Sequence, residues 1–309
     1  MTRVSIIIPT HNRASRLPYA VESAQKAGTD VEVIVVDDAS TDETPDVCRS
    51  LPDIKYLRLE HNVRQGGARN AGIAISSGHF LSFLDDDDLR LPNSLDTQIK
   101  VLSSNPEAGF IYGQVLFSDP YNHTIKDEIH PNQCLTGDIF WPLLAGNFIH
   151  IPSVVVSRQH LEEVGLFDPS MTGVEDWDLW LRLSERHPVV AVEEPVAIYK
   201  LFTSASGQTS SNHIAMCDVT LRAQAKALNL PRSKVAPSEK RKAIRRHVTN
   251  SLANLLLSET QIALSEKDRN RAFRYFFHAM RFNATQTNNW LLGKILTKLK
   301  AAQKRAVAR

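Results

Sequence analysis

Short apolar runs alternate with segments of helical periodicity through the first hundred residues. The apolar runs predict buried strands at residues 4–8, 31–36, 54–59 and 79–84. The intervening and following segments predict helices at residues 15–27, 42–50, 66–77 and 92–104. Strands that alternate with helices of this length are typical of βαβ units. The expected fold class is therefore α/β with a mostly parallel central sheet flanked by helices.

The rest of the chain has a different pattern. It is less regular between residues 108 and 201, where we predict strands at 110–117, 152–157 and 196–201 and helices at 158–164 and 175–186. From residue 213 to the end the pattern is helical, and residues 240–257 and 267–282 predict an antiparallel hairpin. We therefore expect one domain over residues 1–212, with halves 1–104 and 105–212, and a helical extension over residues 213–309.

Charge is distributed unevenly along the chain. The 309 residues carry a formal net charge of +2, but residues 240–309 contain 16 Lys and Arg against three acidic residues, which leaves −11 for residues 1–239. A basic helical tail on an acidic body favours an anionic surface as its partner. The last segment, 285–309, predicts an amphipathic helix with Trp290 and several leucines on one face. Such a helix either lies in a membrane interface or packs on the body with its basic face in water.

Composition narrows the class of protein. Hydrophobic residues make up 42% of the chain and charged residues 23%, which is ordinary for a globular protein. The sequence has no apolar run of 18 residues, so no membrane-spanning helix is expected. The N-terminus begins directly in a predicted strand and does not resemble a signal peptide. Three scattered cysteines are too few for a disulfide framework or a zinc site. We expect a cytoplasmic protein, bound peripherally to the inner face of the membrane if the tail docks there.

Four consecutive aspartates, Asp85 to Asp88, directly follow the apolar run Phe80 to Leu84. Like charges at this spacing repel by about 1 kcal/mol per pair in water, and by more when they are partly desolvated. A divalent cation relieves the repulsion, because Mg²⁺ and Mn²⁺ take oxygen ligands and bring substrate phosphates with them. The run therefore predicts a metal–diphosphate site. A solvated acidic turn is the alternative.

Polar segments follow three of the predicted strands. These segments are Thr10 to Arg13, Asp37-Asp38, and Asp85 to Asp88. Ligands of open α/β sheets bind at the carboxyl ends of the strands. We therefore expect the three segments to meet at one edge of the sheet.

Two further features bear on nucleotide binding. Asp38 is placed to accept a hydrogen bond from a base or a ribose hydroxyl, with Ser40 or Thr41 capping the next helix; simple capping by the whole segment is the alternative. Residues 65–72 form a glycine-containing helix start that includes Arg69, and a helix N-terminus with Arg suits a diphosphate. This segment lacks the spacing of a P-loop or of the dinucleotide fingerprint.

A second acidic pair, Glu175 and Asp176, opens the predicted helix 175–186. Trp177 and Trp180 lie close by in the sequence and favour a partly desolvated cleft. In such a cleft the pKa of a carboxylate rises toward that of a general base. The alternative is that the acids only compensate the helix dipole.

In this order and spacing the segments resemble the family 2 glycosyltransferases, which have a GT-A fold, over about residues 4–201. Each matching segment is loose by itself, and together they are highly specific. They are residues 4–13, 35–42, 68–72, 83–88 with Pro92, 165–168 and 175–183. The resemblance implies an inverting, hexosyltransferase-type enzyme that moves a sugar from a nucleotide-diphospho-sugar, in the first instance a UDP-sugar. The implied acceptor is a hydroxyl of a glycan or lipid-linked molecule, in surface polysaccharide biosynthesis, and no nucleic acid is expected as a partner.

The resemblance also implies roles for single residues. Residues 1–104 are expected to bind the donor, and residues 105–212 the acceptor. The DxD pattern of the family puts Mn²⁺ or Mg²⁺ on Asp87 and Asp85. Asp176 is the expected general base, with Glu175 in reserve. The residues expected at the nucleotide-sugar are Pro9, Thr10, Asn12, Arg13, Asp38, Arg69, Asp85 and Asp86.

One position departs from the family pattern. Many members have Arg and then a nearby His after the strand that ends here at Tyr199, whereas this chain continues with Lys200 and has no His before His213. Lys200 is expected to take part of that role at the diphosphate or the metal.

Two other classes of function remain open from the sequence. One is a catalytically inactive nucleotide-sugar-binding scaffold, against which the intact pair Glu175-Asp176 argues. The other is a phosphohydrolase of the haloacid-dehalogenase type, which also has Asp-x-Asp after an apolar strand. That class would have its motif near the N-terminus, followed by Thr or Val, whereas Leu89 follows the aspartates here.

Overall fold

The computed structural model describes residues 4–119, 124–201 and 212–294. The chain divides into two compact units, Met1–Ser211 and Asn212–Arg309. The first unit contains the sheet, and the described part of the second is helical.

Strands and helices alternate through the first hundred residues, as predicted. The strands are β1 (Val4–Thr10), β2 (Val31–Asp37), β3 (Ile54–Arg58), β4 (Phe80–Phe83) and the short β5 (Leu89–Arg90). The helices are α1 (Leu17–Gln25), α2 (Thr44–Ser50), α3 (Arg64–Ile75) and α4 (Ser94–Ser103). Each helix boundary lies within two residues of its predicted position. Only β5 was not expected, because two residues are too short to give a hydrophobic pattern.

The second half of the unit departs more from expectation. Its elements are β6 (Phe110–Ser118), β7 (Thr124–His130), α5 (Phe140–Ala145), β8 (Val155–Ser157), α6 (Arg158–Val164), α7 (Glu175–Arg186) and β9 (Val189–Lys200). Both β7 and α5 were missed, and β9 begins seven residues before the predicted strand. The pairing of β9 with β6 skips from Val192 to Pro195, so the exposed Glu193 and Glu194 bulge out of the ladder. These polar residues interrupt the apolar pattern and hide the strand.

The nine strands form one sheet in the order β3-β2-β1-β4-β8-β6-β9-β5, with β7 beside β6. Strands β3, β2, β1 and β4 are parallel neighbours. Strand β8 is antiparallel to both β4 and β6, and β9 is parallel to β6, so six strands run in one direction. The predicted mostly parallel α/β sheet is confirmed. The ends of β1, β2, β4, β6 and β9 therefore lie on the same edge.

The two faces of β1 are covered by different helices. Ile6 and Ile8 belong to an apolar cluster with residues of α1 and α4, whereas Ile7 meets α3 at Gly72 on the other face. A Cβ atom added to Gly72 would lie 2.5 Å from Ile7 Cγ2, so only glycine allows α3 to approach this closely. Burial on both faces explains why β1 is apolar without alternation.

The second unit contains α8 (His213–Ala227), α9 (Pro231–Val235), α10 (Ser238–Ser265), α11 (Arg269–Phe282) and α12, which is described over residues 284–294. The predicted hairpin is confirmed for α10 and α11: the Asp268 amide bonds to the Ala263 carbonyl at one end, and Asn283 bonds to Asn250 at the other. Trp290 of α12 is half-buried against their shared core. Residues 295–309 of the predicted tail helix lie outside the described residues. No helix within the described ranges is long and apolar enough to cross a bilayer.

Candidate active site

Three chain segments meet where β1, β2 and β4 end. The Asp38 amide donates to the Thr10 carbonyl over 2.8 Å, which joins the ends of β2 and β1. The Thr10 hydroxyl donates to Asp86 Oδ2 over 2.7 Å, which joins β1 to the aspartate run after β4. The predicted convergence at one edge of the sheet is confirmed.

The turn after β1 is held by Asn12. Pro9 is buried within β1 and pairs with Val36. Asn12 has φ of 55°, in the left-handed region that Asn tolerates better than most residues. The Asn12 backbone amide donates to Ser40 Oγ over 3.0 Å, and the side-chain Oδ1 of Asn12 accepts from the Thr41 backbone amide over 2.8 Å. The Asn12 side chain thus fixes the turn against the segment that follows β2.

Asp38 lies directly after β2, as expected, but the helix capping expected of Ser40 or Thr41 is wrong. Asp38 is buried rather than free, and its Oδ1 accepts from the Val63 amide over 2.7 Å. Helix α2 begins at Thr44, and neither Ser40 nor Thr41 caps it. Ser40 Oγ instead accepts from the Asn12 backbone amide, and the Thr44 amide at the helix start donates to Asp42 Oδ1 over 3.0 Å. A carboxylate has about four acceptor positions, so the bond from Val63 leaves Asp38 with acceptor capacity.

The aspartate run is not a solvated turn, so that alternative is wrong. Asp86 and Asp88 are buried, and the side chains of Asp85 and Asp87 are only 20% and 15% exposed. Burial, followed by the charge of Asp87, raises the pKa of Asp86 to about 7. Asp88 Oδ1 accepts from the Lys200 amide over 2.9 Å, whereas its buried Oδ2 has no hydrogen-bond partner among the described residues.

Arg13, Arg16 and Lys200 face this acidic run. Arg13 Nε lies 3.9 Å from Asp86 Oδ1, and Arg16 Nη1 lies 3.9 Å from Asp87 Oδ2. Burial and the charge of Asp85 raise the pKa of Asp87, whereas Arg13, Arg16 and Lys200 oppose that rise. Arg16 was missed in the sequence, where the only signal is its place three residues after Arg13, just before α1. The 3.9 Å separations are too long for hydrogen bonds.

Arg69 links the two acidic segments. Its Nη2 donates to Asp85 Oδ1 over 2.6 Å, and its Nη1 donates to Glu175 Oε1 over 2.7 Å. Burial lowers the pKa of Arg69, but the charges of Asp85 and Glu175 outweigh burial, so the net pKa is raised and Arg69 stays charged. The side chain is only 2% exposed. Arg69 was expected at the nucleotide-sugar, and both of its hydrogen-bonded partners in the structure are carboxylates of the protein.

The two acids at the start of α7 have different surroundings. Glu175 is buried, and its Oε2 accepts from the Gly173 amide in addition to the bond from Arg69. Asp176 accepts from the Trp177 amide over 2.7 Å, and its Oδ2 lies 3.5 Å from Asn147 Nδ2. Burial, followed by the charge of Glu175, raises the pKa of Asp176 to about 7. Dipole compensation alone does not account for the hydrogen bond that Glu175 accepts from Arg69.

The donor set of the aspartate run suits a hard cation. Asp85 and Asp87 offer carboxylate oxygens, which Mg²⁺ and Mn²⁺ prefer and Zn²⁺ does not require. Asp88 Oδ2, which has no hydrogen-bond partner among the described residues, follows them in the run, but burial and the charges of Asp87 and Asp85 raise the pKa of Asp88 and disfavour its charged form. Within the described ranges, no three His, Cys, Asp or Glu side chains are arranged to enclose a metal ion. An ion held by Asp85 and Asp87 would therefore complete its coordination with water and donor phosphates.

Solved structures show the same fold. S. aureus TarS in complex with UDP-GlcNAc superposes with a TM-score of 0.56 at 16% identity, covering 90% of this chain and 91% of that one. The mannosyltransferase PcManGT from Pyrobaculum calidifontis, in complex with GDP-Man and Mn²⁺, gives a TM-score of 0.57 at 18% identity, covering 91% and 87%. The predicted GT-A fold is confirmed.

Sequence comparison extends this result to the family. An uncharacterized glycosyltransferase of Rickettsia felis is 32% identical over 226 residues, which cover 70% of this chain and 37% of that protein. The chain matches between 32% and 37% of the length of several curated relatives. The family model described as glycosyl transferase family 2 matches residues 5–164, more than half of the chain. Neither the phosphohydrolase nor the inactive scaffold is favoured by these matches. The chain belongs to glycosyl transferase family 2.

Proposed function

We propose that the chain is an inverting, hexosyl-transferring enzyme that uses a UDP-sugar and glycosylates a hydroxyl of a glycan or lipid-linked acceptor in surface polysaccharide biosynthesis. The observation that carries the proposal is the position of Arg69 between Asp85 and Glu175. This buried bridge ties the donor-side acids to the acceptor-side helix start. It thereby keeps Asp176 beside the aspartate run, as a single transfer reaction requires.

The proposed donor site lies at the ends of β1 and β2. Asp38 contacts the uridine through the acceptor capacity that the Val63 amide leaves unused. Pro9 and Asn12 set the backbone of the turn against which the nucleotide lies. Thr10 orients Asp86, and Arg13 adds positive charge next to it.

The proposed diphosphate site lies beside the aspartate run. Asp87 and Asp85 would hold Mn²⁺ or Mg²⁺, and the ion would supply positive charge to the leaving diphosphate. Arg16 and Lys200 supply further positive charge from the protein. The Lys200 pKa is lowered by burial and then by the charge of Arg16, which supports a cationic pair close together. Arg69 acts through its two carboxylate partners and not by direct contact.

The proposed general base is Asp176. It takes the proton from the acceptor hydroxyl while that oxygen attacks the anomeric carbon from the side opposite the diphosphate. The bond from the anomeric carbon to the diphosphate oxygen breaks, the nucleotide diphosphate leaves with the electron pair, and the anomeric configuration inverts. A pKa near 7 suits this role at neutral pH. Glu175 is committed to Arg69 and Gly173, so it serves as the positioning partner.

The proposed location follows from the charge of the tail. Residues 285–309 would dock the catalytic unit peripherally at the anionic cytoplasmic face of a membrane, with each well-placed Lys or Arg contributing about 1 kcal/mol. The exposed Leu291 and Leu292 support this proposal. The half-buried Trp290 supports packing of the first turns of α12.

The first test is calorimetric titration with UDP, GDP and dTDP, each with and without Mn²⁺. We expect Mn²⁺-dependent binding of UDP that Asp87→Ala abolishes, because the carboxylate that holds the ion is removed. Asp176→Asn should bind UDP like the unchanged protein, and it should fail to transfer sugar from a UDP-sugar. Absence of binding by all three nucleotides would refute the donor site. Transfer retained by Asp176→Asn would refute only the assignment of the base.

A further inference from the structure

A cluster of aromatic rings lies at the ends of β6 and β9. It consists of Phe117, His130, His150 and Tyr199, which we call the aromatic wall. The His150 ring lies 4.6 Å from the Tyr199 ring and 4.8 Å from the His130 ring, measured between centroids. Phe117 lies 5.5 Å from His150 and 6.1 Å from Tyr199. All four side chains remain partly exposed, so they form a surface and not a closed core.

The wall adjoins the acidic run. Phe117 and Tyr199 are direct partners in the β6–β9 ladder, so their side chains lie on the same face of the sheet. The residue after Tyr199 donates its amide to Asp88 Oδ1. Strand β5, which directly follows the aspartates, pairs with Ile198 and Ala197 of β9. The wall is therefore fixed to the segment that carries the proposed metal ligands.

The wall also lies near the proposed base. The segment that leads to His150 includes Asn147, whose Nδ2 lies 3.5 Å from Asp176 Oδ2. Burial raises the pKa of Tyr199, and the charges of Asp88, Asp85 and Asp176 raise it further. Tyr199 thus lies in the field of both acidic groups.

The polar groups of the wall are uncharged. His150 Nε2 and His130 Nδ1 share a hydrogen bond of 2.9 Å. Burial, and then His130, lowers the pKa of His150 to about 3, and burial lowers the pKa of His130. In a neutral pair one of the shared nitrogens donates and the other accepts. The two outer nitrogens are then one donor and one acceptor in either tautomer.

This chemistry differs from that of the diphosphate site. Phosphate recognition uses cations, and the wall has none among its four members. Aromatic faces pack against apolar C–H groups, and a neutral donor–acceptor pair matches hydroxyl groups, which both donate and accept. A sugar ring has both features: C–H groups on its faces and hydroxyls at its edge.

We propose that the aromatic wall binds a sugar ring at the reaction centre, with Tyr199 and Phe117 against its face and the His130–His150 pair at its hydroxyls. The inference rests on the proposed transferase function and extends it. Two rings share this chemistry: the sugar being transferred from the donor and the terminal sugar of a saccharide acceptor. The experiment has one arm for each.

The donor arm compares nucleotide with nucleotide-sugar. UDP and UDP-GlcNAc, and GDP and GDP-Man, are titrated calorimetrically with Mn²⁺ into the unchanged protein and into Tyr199→Ala, Tyr199→Phe and Phe117→Leu. If the wall holds the transferred sugar, Tyr199→Ala weakens nucleotide-sugar binding about threefold to tenfold and leaves nucleotide binding unchanged. Tyr199→Phe keeps most of the affinity, because it retains the ring.

The acceptor arm uses methyl glycosides of glucose, galactose, mannose and N-acetylglucosamine as probes. Saturation-transfer NMR is recorded with the protein saturated with nucleotide and Mn²⁺. If the wall holds the acceptor sugar, one or more glycosides give a signal that Tyr199→Ala removes. Phe273→Ala, which truncates an exposed aromatic side chain of the second unit, serves as the control and should change neither arm.

The outcomes separate the two proposals. A selective loss in either arm supports the wall and identifies which sugar it binds. The proposal for the wall is refuted if Tyr199→Ala changes neither nucleotide-sugar binding nor glycoside binding. It is also refuted if, in the unchanged protein, the sugar adds nothing to nucleotide binding and no glycoside gives a signal. Parallel loss of nucleotide and sugar binding also overturns it, because the ring would then be structural. Failure of the unchanged protein to bind any nucleotide overturns the proposed function instead.

Discussion

Replacing Arg69 with methionine should destabilise the first unit strongly, although methionine keeps apolar contact with Phe167, whose ring lies 5.5 Å from the Arg69 guanidinium. The substitution removes two charge-assisted hydrogen bonds, of 2.6 and 2.7 Å. It also leaves Asp85 and Glu175 without their cation. Breaking a buried ion pair on one side costs about 3–5 kcal/mol, because the remaining charge stays desolvated.

A matched surface pair provides the control. Arg49 Nη2 lies 2.5 Å from Asp46 Oδ1, as close as the Arg69 contacts, but the two side chains are 59% and 77% exposed. Exposed pairs of this kind contribute about 0–1 kcal/mol. Arg49→Met should therefore leave the free energy of unfolding nearly unchanged. The Arg69–Asp85 and Arg49–Asp46 contacts are alike in chemistry and distance and differ in burial, and Arg69→Met also removes the partner of Glu175.

The assay is urea unfolding of both variants, followed by circular dichroism and by tryptophan fluorescence. With a slope of about 3 kcal/mol per molar urea, Arg69→Met should lower the midpoint by about 1–1.7 M. Arg49→Met should lower it by less than about 0.3 M. A difference of about 0.3 M in the midpoint is close to the precision of such curves. If the midpoints of the two variants differ by no more than that, the Arg69 bridge does not stabilise the first unit.

Four further predictions follow from the site, the sheet and the tail. The transfer rate at saturating donor should rise about tenfold between pH 6 and pH 8, because Asp176, whose pKa burial raises to about 7, acts only when deprotonated; a flat profile would contradict this. Arg16→Ala should weaken UDP binding, measured by calorimetry, about fivefold, since a half-exposed charge contact contributes about 1 kcal/mol. Uridine binding should not change, because uridine lacks the diphosphate; equal losses for the two ligands would contradict this prediction. Gly72→Ala should cost about 1–3 kcal/mol in urea unfolding by crowding Ile7, and an unchanged midpoint would show that α3 can move. Deleting residues 285–309 should abolish salt-sensitive binding to anionic liposomes. Unchanged binding would refute membrane docking by the tail and favour the alternative, a helix packed on the body.

The local pattern of the sequence was enough to predict the first half of the sheet. Strands β1, β2 and β4 are mostly apolar, with a single polar residue inside each run, because helices cover both faces of the sheet there. The helices between them have clear 3.6-residue periodicity, so α1 to α4 were found to within two residues. The polar segments at the strand ends followed from the same pattern, since parallel strands end on one edge.

Features that depend on distant pairing were not predictable in this way. Strand β9 is interrupted by Glu193 and Glu194, and only its pairing with β6 shows that they form a bulge within a strand. Ser40 was expected to cap the next helix, but its hydroxyl accepts from the amide of Asn12, 28 residues earlier. In each case the residue or strand that determines the local structure is too far away in the sequence to contribute to a local periodicity pattern.

The same division applies to the candidate site. The sequence by itself determined the family, the acidic run and the pair Glu175-Asp176, because these are contiguous segments whose residue types are informative. Only the tertiary structure decided that Arg69 bonds to acids 16 and 106 residues away, which separates the surroundings of Glu175 from those of Asp176. Burial and long-range charge set the ionisation of these groups, and neither quantity exists until the chain has folded around them.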